Sequence, residues 1–303
     1  MIRMNRRTFG LGAGVVALSL ATGGRAALAN ETRSVTTAFG TYDIPTNPQR
    51  VIAIDNRIDL ETALALGLPV IGYCRDVVGP WVEVPTDAVL LSNVPNVEQI
   101  LALEPDLIIC SDWGDNERWP WQRLQSVAPV LPITTSDGWR ANIANISQWL
   151  GIEGRADEAI AEFDAVVSDI RAQHGPAIDS KRVLALHYFP EDQNMKIRGQ
   201  GSNQALVLSE LGGTTINPTI IEEGDVSMEV LPDMLADIDG ILYAELADQG
   251  TYEAVQAHPQ WSRIPAVAAG KVHVLRGATN FGGVYAAKYV AQEWAKLYAM
   301  LEA

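Results

Sequence analysis

The sequence predicts an α/β fold of two lobes, each with a mainly parallel sheet flanked by helices, bridged by one long helix. The chain has 303 residues, too many for one ordinary core and suitable for two domains. A periodic helical stretch runs from Gly154 to His174 near its middle, and the stretches on either side repeat the same order of strands and helices. We therefore divide the chain into a leader at 1–29, an N-terminal lobe at 30–152, a linking helix at 153–176 and a C-terminal lobe at 177–303.

The leader has the features of an export signal. Asn5 to Phe9 spells a twin-arginine motif, an apolar run follows from Leu11 to Ala21, and Ala27-Leu28-Ala29 is a cleavage site of small residues. The apolar run is shorter than the roughly 20 residues that span a bilayer, and no cysteine near the cleavage site offers a lipid attachment point. We expect export to the periplasm by the twin-arginine route, with no lipid anchor and no membrane insertion.

The net charge and the cysteines limit the partners and the redox chemistry. Removing the leader, which holds four arginines and no acid, lowers the net charge from −15 to −19. Such a chain is not expected to seek nucleic acid or an anionic membrane surface. Cys74 and Cys110 each end a predicted strand of the first lobe, so a disulfide and two free thiols are both open.

The first lobe opens with an edge strand near Arg33 to Phe39, followed by short apolar strands that alternate with helices. This alternation predicts a parallel sheet covered on both faces. Trp139 is expected to open the last helix of the lobe and Gly151 to close it. The strand ends and the loops that follow them carry the candidate ligand-binding residues Arg57, Arg75, Trp113, Trp119 and Trp121.

The linking helix shows one apolar face with acids in its first turn, at Asp157 and Glu158. Gly175-Pro176 is expected to end it. The apolar positions are Ala156, Ala159, Ile160, Phe163, Val166, Val167 and Ile170.

The strand ends of the second lobe carry the candidate ligand-binding residues His187, Tyr188, Arg198 and Arg276. Because ligands bind at the carboxyl ends of parallel strands, two facing lobes would bring both sets of residues together across a cleft. His187 has no carboxylate or thiol nearby at ligand spacing, so we predict no metal site and no catalytic constellation.

A pair of glutamates occupies matching positions in the two halves. Glu98 and Glu229 each open a predicted short helix, and Asp106 and Asp237 follow at the same spacing just ahead of an apolar strand. A glutamate at a helix N-terminus is favoured by roughly 0.3 to 1 kcal/mol on its own account. That preference explains one glutamate better than a matched pair, and the pattern favours an internal duplication.

Several blocks together resemble a known family. The Val97-Glu-Gln-Ile-Leu-Ala-Leu-Glu-Pro-Asp block, the Val226-Ser-Met-Glu-Val-Leu block and the run from Trp261 to Val272 are similar to the periplasmic binding proteins of ABC importers for ferric siderophores, haem and vitamin B12. The resemblance covers essentially all of the mature chain. It implies a shallow cleft between two lobes and docking of Glu98 and Glu229 onto arginines of the membrane permease. We expect the mature chain to be a monomer.

The resemblance also suggests the ligand. Arginines pair with the carboxylate, catecholate or hydroxamate oxygens of a ferric siderophore, and tryptophans cover its apolar rim. Iron would then arrive already chelated, so no cofactor is expected beyond the bound chelate, although direct coordination by His187 or Tyr188 is an alternative. Haem or a cobalamin is an alternative ligand. Two alternatives belong to another class: a ligand sensor, and an exported enzyme that would use Asp112, Glu245 and His187. We expect no enzyme.

Overall fold

The computed structural model describes residues 31–75, 79–134, 136–199, 201–215, 225–245 and 251–303. The expected export signal lies outside these residues. The chain begins with an antiparallel hairpin of β1, Thr32–Thr37, and β2, Gly40–Pro45. Gly40 has a φ of 126°, which the turn between these strands requires and which favours glycine. The expected edge strand is thus one arm of a separate two-stranded sheet.

The sheet of the N-terminal lobe has five parallel strands in the spatial order β5-β4-β3-β6-β7. The central strand β3 pairs with both β4 and β6, so the chain leaves it first on one side and then on the other. This reversal is a topological switch point, where α/β sheets bind ligands. The strands are β3 Val51–Ala53, β4 Val70–Tyr73, β5 Val89–Leu90, β6 Leu107–Ser111 and β7 Val130–Ile133. The helices are α1 Ile58–Ala65, α2 Val97–Ala102, α3 Trp121–Leu124 and α4 Gly138–Leu150, which Gly151 ends in the left-handed conformation as expected.

The linking helix α5, Glu153–Ser180, bridges the lobes and packs against α4 and against α10 of the C-terminal lobe, Val284–Glu302. Its 28 residues span about 42 Å. The predicted end at Gly175-Pro176 is wrong, because the helix continues through Pro176 for one more turn. Burial of Ala177 and Ile178 and the ion pair between Arg171 and Asp179, at 2.9 Å, offset the backbone hydrogen bond that proline cannot donate.

The sheet of the C-terminal lobe has the spatial order β10-β9-β8-β11-β12, in which β8, β11 and β12 are parallel. β9 runs antiparallel to both of its neighbours. The two sheets therefore share one strand order and differ in the direction of one strand. The strands are β8 Val183–Phe189, β9 Asn194–Ile197, β10 Asp225–Ser227, β11 Gly240–Glu245 and β12 Val272–Arg276. The other helices are α6 Asn203–Glu210, α7 Leu231–Met234, α8 Thr251–Gln256 and α9 Pro265–Ala268, with a 3₁₀ turn at Trp261–Arg263.

One apolar core continues from lobe to lobe through the two long helices α5 and α10. Phe163 of α5 is fully buried and meets the ring of Trp139 edge to face at 5.0 Å. Trp294 and Tyr298 of α10 are fully buried in the same cluster. Within the described ranges, no helix is both long and apolar enough to cross a membrane.

Candidate ligand-binding cleft

A cavity of about 330 Å³ lies at the switch point of the N-terminal sheet, beyond the carboxyl ends of β3 and β4. Ala278, in the loop between β12 and α10, brings the C-terminal lobe to its wall. Among the described residues that line this cavity, none is acidic and three are arginines. The lining residues are Asn56, Arg57, Arg75, Asn93, Val94, Arg118 and Ala278.

A buried carboxylate holds the first of these arginines. Asp55 is fully buried just after β3, and its Oδ1 accepts hydrogen bonds from the backbone N–H of Arg57 at 2.9 Å and from Arg57 Nε at 3.0 Å. Its Oδ2 accepts from Arg57 Nη2 at 2.8 Å, which completes a two-point fork. Burial alone would raise the pKa of Asp55, but the hydrogen bonds and the charges of Arg57 and Arg75 lower it below its usual value. Asp55 is therefore ionised at neutral pH.

A second buried carboxyl group, Asp59 of α1, ties the end of β3 to the end of β6. Its Oδ2 accepts from the backbone N–H of Asp55 at 2.9 Å and of Ser111 at 3.0 Å, and its Oδ1 bonds the Ser111 hydroxyl. Burial and then the charge of Asp55 raise the pKa of Asp59 to about 8. Asp59 is thus mainly neutral at pH 7, and the pair of aspartates carries one charge.

Arg75 approaches the same carboxylate from β4, with its Nε 3.6 Å from Asp55 Oδ2. Its guanidinium lies over the ring of Trp119, 4.8 Å from the centroid, and its Nη2 is buried with no hydrogen-bond partner among the described residues. Its backbone has a φ of 74°, a conformation that is common for glycine but rare for L-residues other than asparagine and aspartate. Strain of this kind is concentrated at binding sites.

Aromatic rings from both lobes cluster beside the arginines that line the cavity. Trp113, which is 37% exposed, meets Phe281 edge to face at 4.9 Å and lies 5.7 Å from Trp119. The guanidinium of Arg57 lies 5.5 Å from the Phe281 ring. Phe281 belongs to the loop between β12 and α10, so this contact joins the lobes.

Sequence reasoning missed Phe281 and Arg118. Arg118 lies in the tryptophan-rich loop after β6, and this position could have marked it as a candidate ligand-binding residue. Nothing in the local sequence marks Phe281, because its role depends on a contact between the lobes. Trp121, by contrast, is not brought to the cavity. It stacks on Phe39 with centroids 4.2 Å apart and packs in the core of the N-terminal lobe.

The C-terminal lobe contributes a separate cavity of about 450 Å³, lined by His187, Tyr188 and Thr251 among others. His187 Nδ1 lies 2.6 Å from the carbonyl oxygen of Ala244, and a carbonyl only accepts, so Nδ1 carries the proton. Burial lowers the pKa of His187 to about 4, with a further contribution from the charge of Arg198. The imidazole is neutral at pH 7. The ring of Tyr188 is buried in the apolar cluster on the opposite face of the sheet.

Two predicted arginines of this lobe lie in different places. Arg276, at the end of β12, donates to Glu245 Oε2 at 2.7 Å, and its side chain is 56% exposed. Arg198 was expected at the carboxyl end of a parallel strand, and that expectation is wrong because β9 is antiparallel. Its backbone N–H bonds Ala185 within β8, and its side chain lines a third cavity of about 270 Å³ with Leu184 and Trp294.

The two glutamates have matching surroundings. Asn96 caps α2 and accepts from the backbone N–H of Glu98 at 2.9 Å, and Ser227 Oγ accepts from the backbone N–H of Glu229 at 3.3 Å. Both glutamates are exposed. Glu98 lies in the first turn of α2 as predicted, whereas Glu229 lies in a turn just before α7 and does not open the helix.

A family model described as periplasmic binding protein matches residues 68–279, which is more than half of the chain. The chain belongs to this family. Among curated relatives, this periplasmic binding protein is 28% identical over 292 residues to the probable siderophore-binding lipoprotein YfiY of Bacillus subtilis strain 168, with 87% of each chain covered. It is 27% identical over 149 residues to the ferric-anguibactin-binding protein FatB of Vibrio anguillarum, covering 44% of this chain and 45% of FatB.

Solved structures show the same fold. A periplasmic solute binding protein from Mycobacterium smegmatis matches with a TM-score of 0.76 and 21% identity, covering 90% of this chain and 99% of the other. The siderophore binding protein FhuD from Vibrio cholerae, bound to Fe3+ and Desferal, matches with a TM-score of 0.68 and 24% identity, covering 84% of this chain and 98% of the other. The predicted two-lobe α/β architecture with one bridging helix is confirmed.

Proposed function

We propose that this periplasmic binding protein captures a ferric siderophore in the cleft between its lobes and delivers it to the permease of an ABC importer. The observation that carries the proposal is the cavity at the switch point, where Arg57, Arg75 and Arg118 converge in a chain of net charge −15. Similarity to YfiY, whose name specifies siderophore binding, and to FatB, whose name specifies ferric-anguibactin binding, supports it.

The residues of the cavity suit a chelate whose metal is already enclosed. Guanidinium groups pair with catecholate, carboxylate or hydroxamate oxygens, and the rings of Trp113 and Phe281 offer apolar cover for the ligand backbone. Among the described residues no group of three or more histidine, cysteine or acidic side chains is placed to hold a metal ion. In this proposal iron is cargo, wrapped by its own ligand.

The proposed role is binding without catalysis. Two of the three residues nominated for acid–base chemistry have other partners, since Glu245 pairs with Arg276 and the His187 imidazole donates to the Ala244 carbonyl. Asp112 directly follows β6 in the N-terminal lobe, whereas Glu245 and His187 lie in the C-terminal lobe. A concerted proton transfer needs groups within hydrogen-bond reach of one substrate atom.

Export and docking belong to the same proposal. The twin-arginine motif and the small-residue cleavage site in the leader favour export of a folded chain that is released without a lipid anchor. The exposed Glu98 and Glu229, each beside a capped turn on its own lobe, suit docking of a monomer to basic residues of the permease.

The test is a titration of the purified protein, followed by tryptophan fluorescence. The probes are the ferric complexes of a triscatecholate, a trihydroxamate and citrate, together with haemin and cyanocobalamin, with the iron-free chelators as controls. Saturable quenching by one ferric chelate at submicromolar concentration is expected. Binding of haemin or cyanocobalamin alone would replace the siderophore by one of these ligands, and binding of none would overturn the proposal.

A further inference from the structure

The cleft arginines are held by a carboxylate that is itself out of reach of solvent. Asp55 is fully buried, and it binds Arg57 through a two-point fork and Arg75 through a longer ion pair. The side chains of Arg57 and Arg75 remain 23% and 21% exposed and line the cavity. Asp55 therefore contacts both arginines from the protein interior, while the arginines themselves line the cavity.

The geometry of the fork fixes which N–H groups remain for a ligand. Arg57 presents the edge formed by Nε and Nη2 to Asp55, so its opposite edge, with Nη1, is directed away from this carboxylate. Arg75 is confined from two sides, by Asp55 and by the ring of Trp119. Two flexible side chains thus become one rigid pair of donors before any ligand arrives.

Asp55 is in turn anchored by bonds that do not involve the ligand. Its backbone N–H donates to Asp59, which also binds the backbone and the hydroxyl of Ser111. The ends of β3 and β6 are therefore locked together beneath the arginines. A buried ion pair is weak evidence for stability, and its better attested use is to specify one geometry.

We infer that Asp55 is a positioning residue for ligand binding: it sets the guanidinium groups of Arg57 and Arg75 as a preorganised pair that receives two oxygen atoms of the chelate. The inference rests on the proposed function and names how its site achieves affinity. Preorganisation raises affinity because the rotamer entropy of the arginines is lost on folding and not on binding.

A positioning role and a simple charge effect predict opposite changes in ligand affinity when Asp55 is replaced. Asp55→Asn removes a negative charge next to the cavity, so a charge effect alone would tighten the binding of an anionic chelate. A positioning role requires weaker binding instead, because Arg57 loses its fork and Arg75 keeps only its contact with the Trp119 ring. We expect Asp55→Asn to weaken binding of the preferred ferric triscatecholate, trihydroxamate or citrate complex at least about ten-fold.

The matched control is Asp106→Asn. Asp106 lies in the same lobe, at the amino ends of the strands and therefore at the end of the sheet away from the cavity. Its carboxylate accepts hydrogen bonds from the backbone N–H groups of Gln49 and Arg50. Its variant makes the same chemical change and should bind within about two-fold of the wild type. Asp55→Glu is the second variant, in case Asp55→Asn does not fold. It keeps the buried charge but displaces the carboxylate by one methylene, and it should also weaken binding.

A double-mutant cycle separates positioning from a general packing role. In a chain carrying Arg57→Gln and Arg75→Gln, Asp55→Asn should change affinity by less than about two-fold, because the groups it positions are gone. An equal loss in both backgrounds would overturn the inference, as would wild-type or tighter binding by a folded Asp55 variant. A wild-type protein that binds none of the ferric chelates would instead overturn the proposed function itself.

Discussion

The carboxylate of Glu61, in the N-terminal lobe, accepts a hydrogen bond from the backbone N–H of Gly283 at 2.8 Å, at the N-terminus of α10 in the C-terminal lobe. It also accepts from the N–H of Ala286 at 2.9 Å and from Trp81 Nε1 at 3.0 Å. A side chain of one lobe therefore caps a helix of the other lobe. The N-cap residue of the helix itself is Gly283, which has no side chain to serve as a cap. A side chain at Gly283 would collide with Glu61, since an added Cβ lies 2.7 Å from Glu61 Cβ.

Replacing Glu61 by glutamine should remove a pH dependence of folding. Burial, opposed by its hydrogen bonds and reinforced by the charge of Asp55, raises the pKa of Glu61 from 4.5 to about 7. Between these values the folded chain holds a proton that the unfolded chain has released, so the free energy of unfolding falls as the pH rises through this window. Between about pH 4 and about pH 8, the free energy of unfolding of the wild type should fall by roughly 3 kcal/mol more than that of Glu61→Gln.

Urea unfolding at a series of pH values measures this difference. Comparison with the variant is needed because the raised pKa of Asp59 gives a slope of the same sign. Glu83→Gln, at an exposed position of the same loop as Trp81, is the control and should keep the wild-type slope. Parallel curves for the wild type and Glu61→Gln would show that Glu61 does not titrate in this window.

Three tryptophans should report ligand binding differently. Trp119 lies against Arg75, which lines the cavity, and Trp113 lies beside Trp119, whereas Trp121 stacks on Phe39 in the lobe core. With eight tryptophans in the chain, Trp113→Phe and Trp119→Phe should each remove part of the ligand-induced quenching. Trp121→Phe should leave the quenching unchanged, and a fluorescence titration with the bound ferric chelate measures all three. Quenching lost only in Trp121→Phe would place the ligand elsewhere.

Glu98 and Glu229 should matter for delivery and not for binding. Both are exposed and neither lines the described cavities at the strand ends. The Glu98→Ala/Glu229→Ala double variant should abolish uptake of radioactive iron chelate in cells while ligand affinity stays within about two-fold. Glu158→Ala, on an exposed position of α5, should transport normally. A large loss of affinity in the double variant would put the glutamates in the ligand site.

The two cysteines should be unreactive thiols in the native protein. Cys74 and Cys110 are free and fully buried, and burial raises the pKa of Cys74 to about 12 and that of Cys110 well above its usual value. A thiol reagent such as DTNB should therefore label neither in the folded state and both after denaturation without reductant. Absence of labelling after denaturation would reveal a disulfide.

The part of the fold that follows from local chemistry could be predicted from the sequence. Apolar runs at strand and helix periods predicted the α/β alternation and the linking helix, because these patterns act within a few residues. The left-handed end of α4 at Gly151 and the place of Glu98 in the first turn of α2 are of this kind. The positions of Arg57, Arg75 and Trp113 just after β3, β4 and β6 could be predicted for the same reason, since a residue just after a parallel strand lies at the carboxyl end of the sheet.

Contacts between distant parts of the chain decided the rest. The direction of β9 moved Arg198 away from the strand ends, because the periodicity of a short strand does not distinguish parallel from antiparallel pairing. Helix α5 passes through Pro176 because tertiary burial of Ala177 and Ile178 outweighs a local signal to stop.

The sequence by itself determined which residue types stand at the strand ends, and only the tertiary structure decided what each of them touches. Asp55 and Arg57 are neighbours in sequence, but Arg75 joins them through the pairing of β3 with β4, and Phe281 closes on Arg57 from the other lobe. The capping of α10 by Glu61 joins positions 222 residues apart. Such pairings depend on the packing of whole lobes, to which local propensity contributes no information.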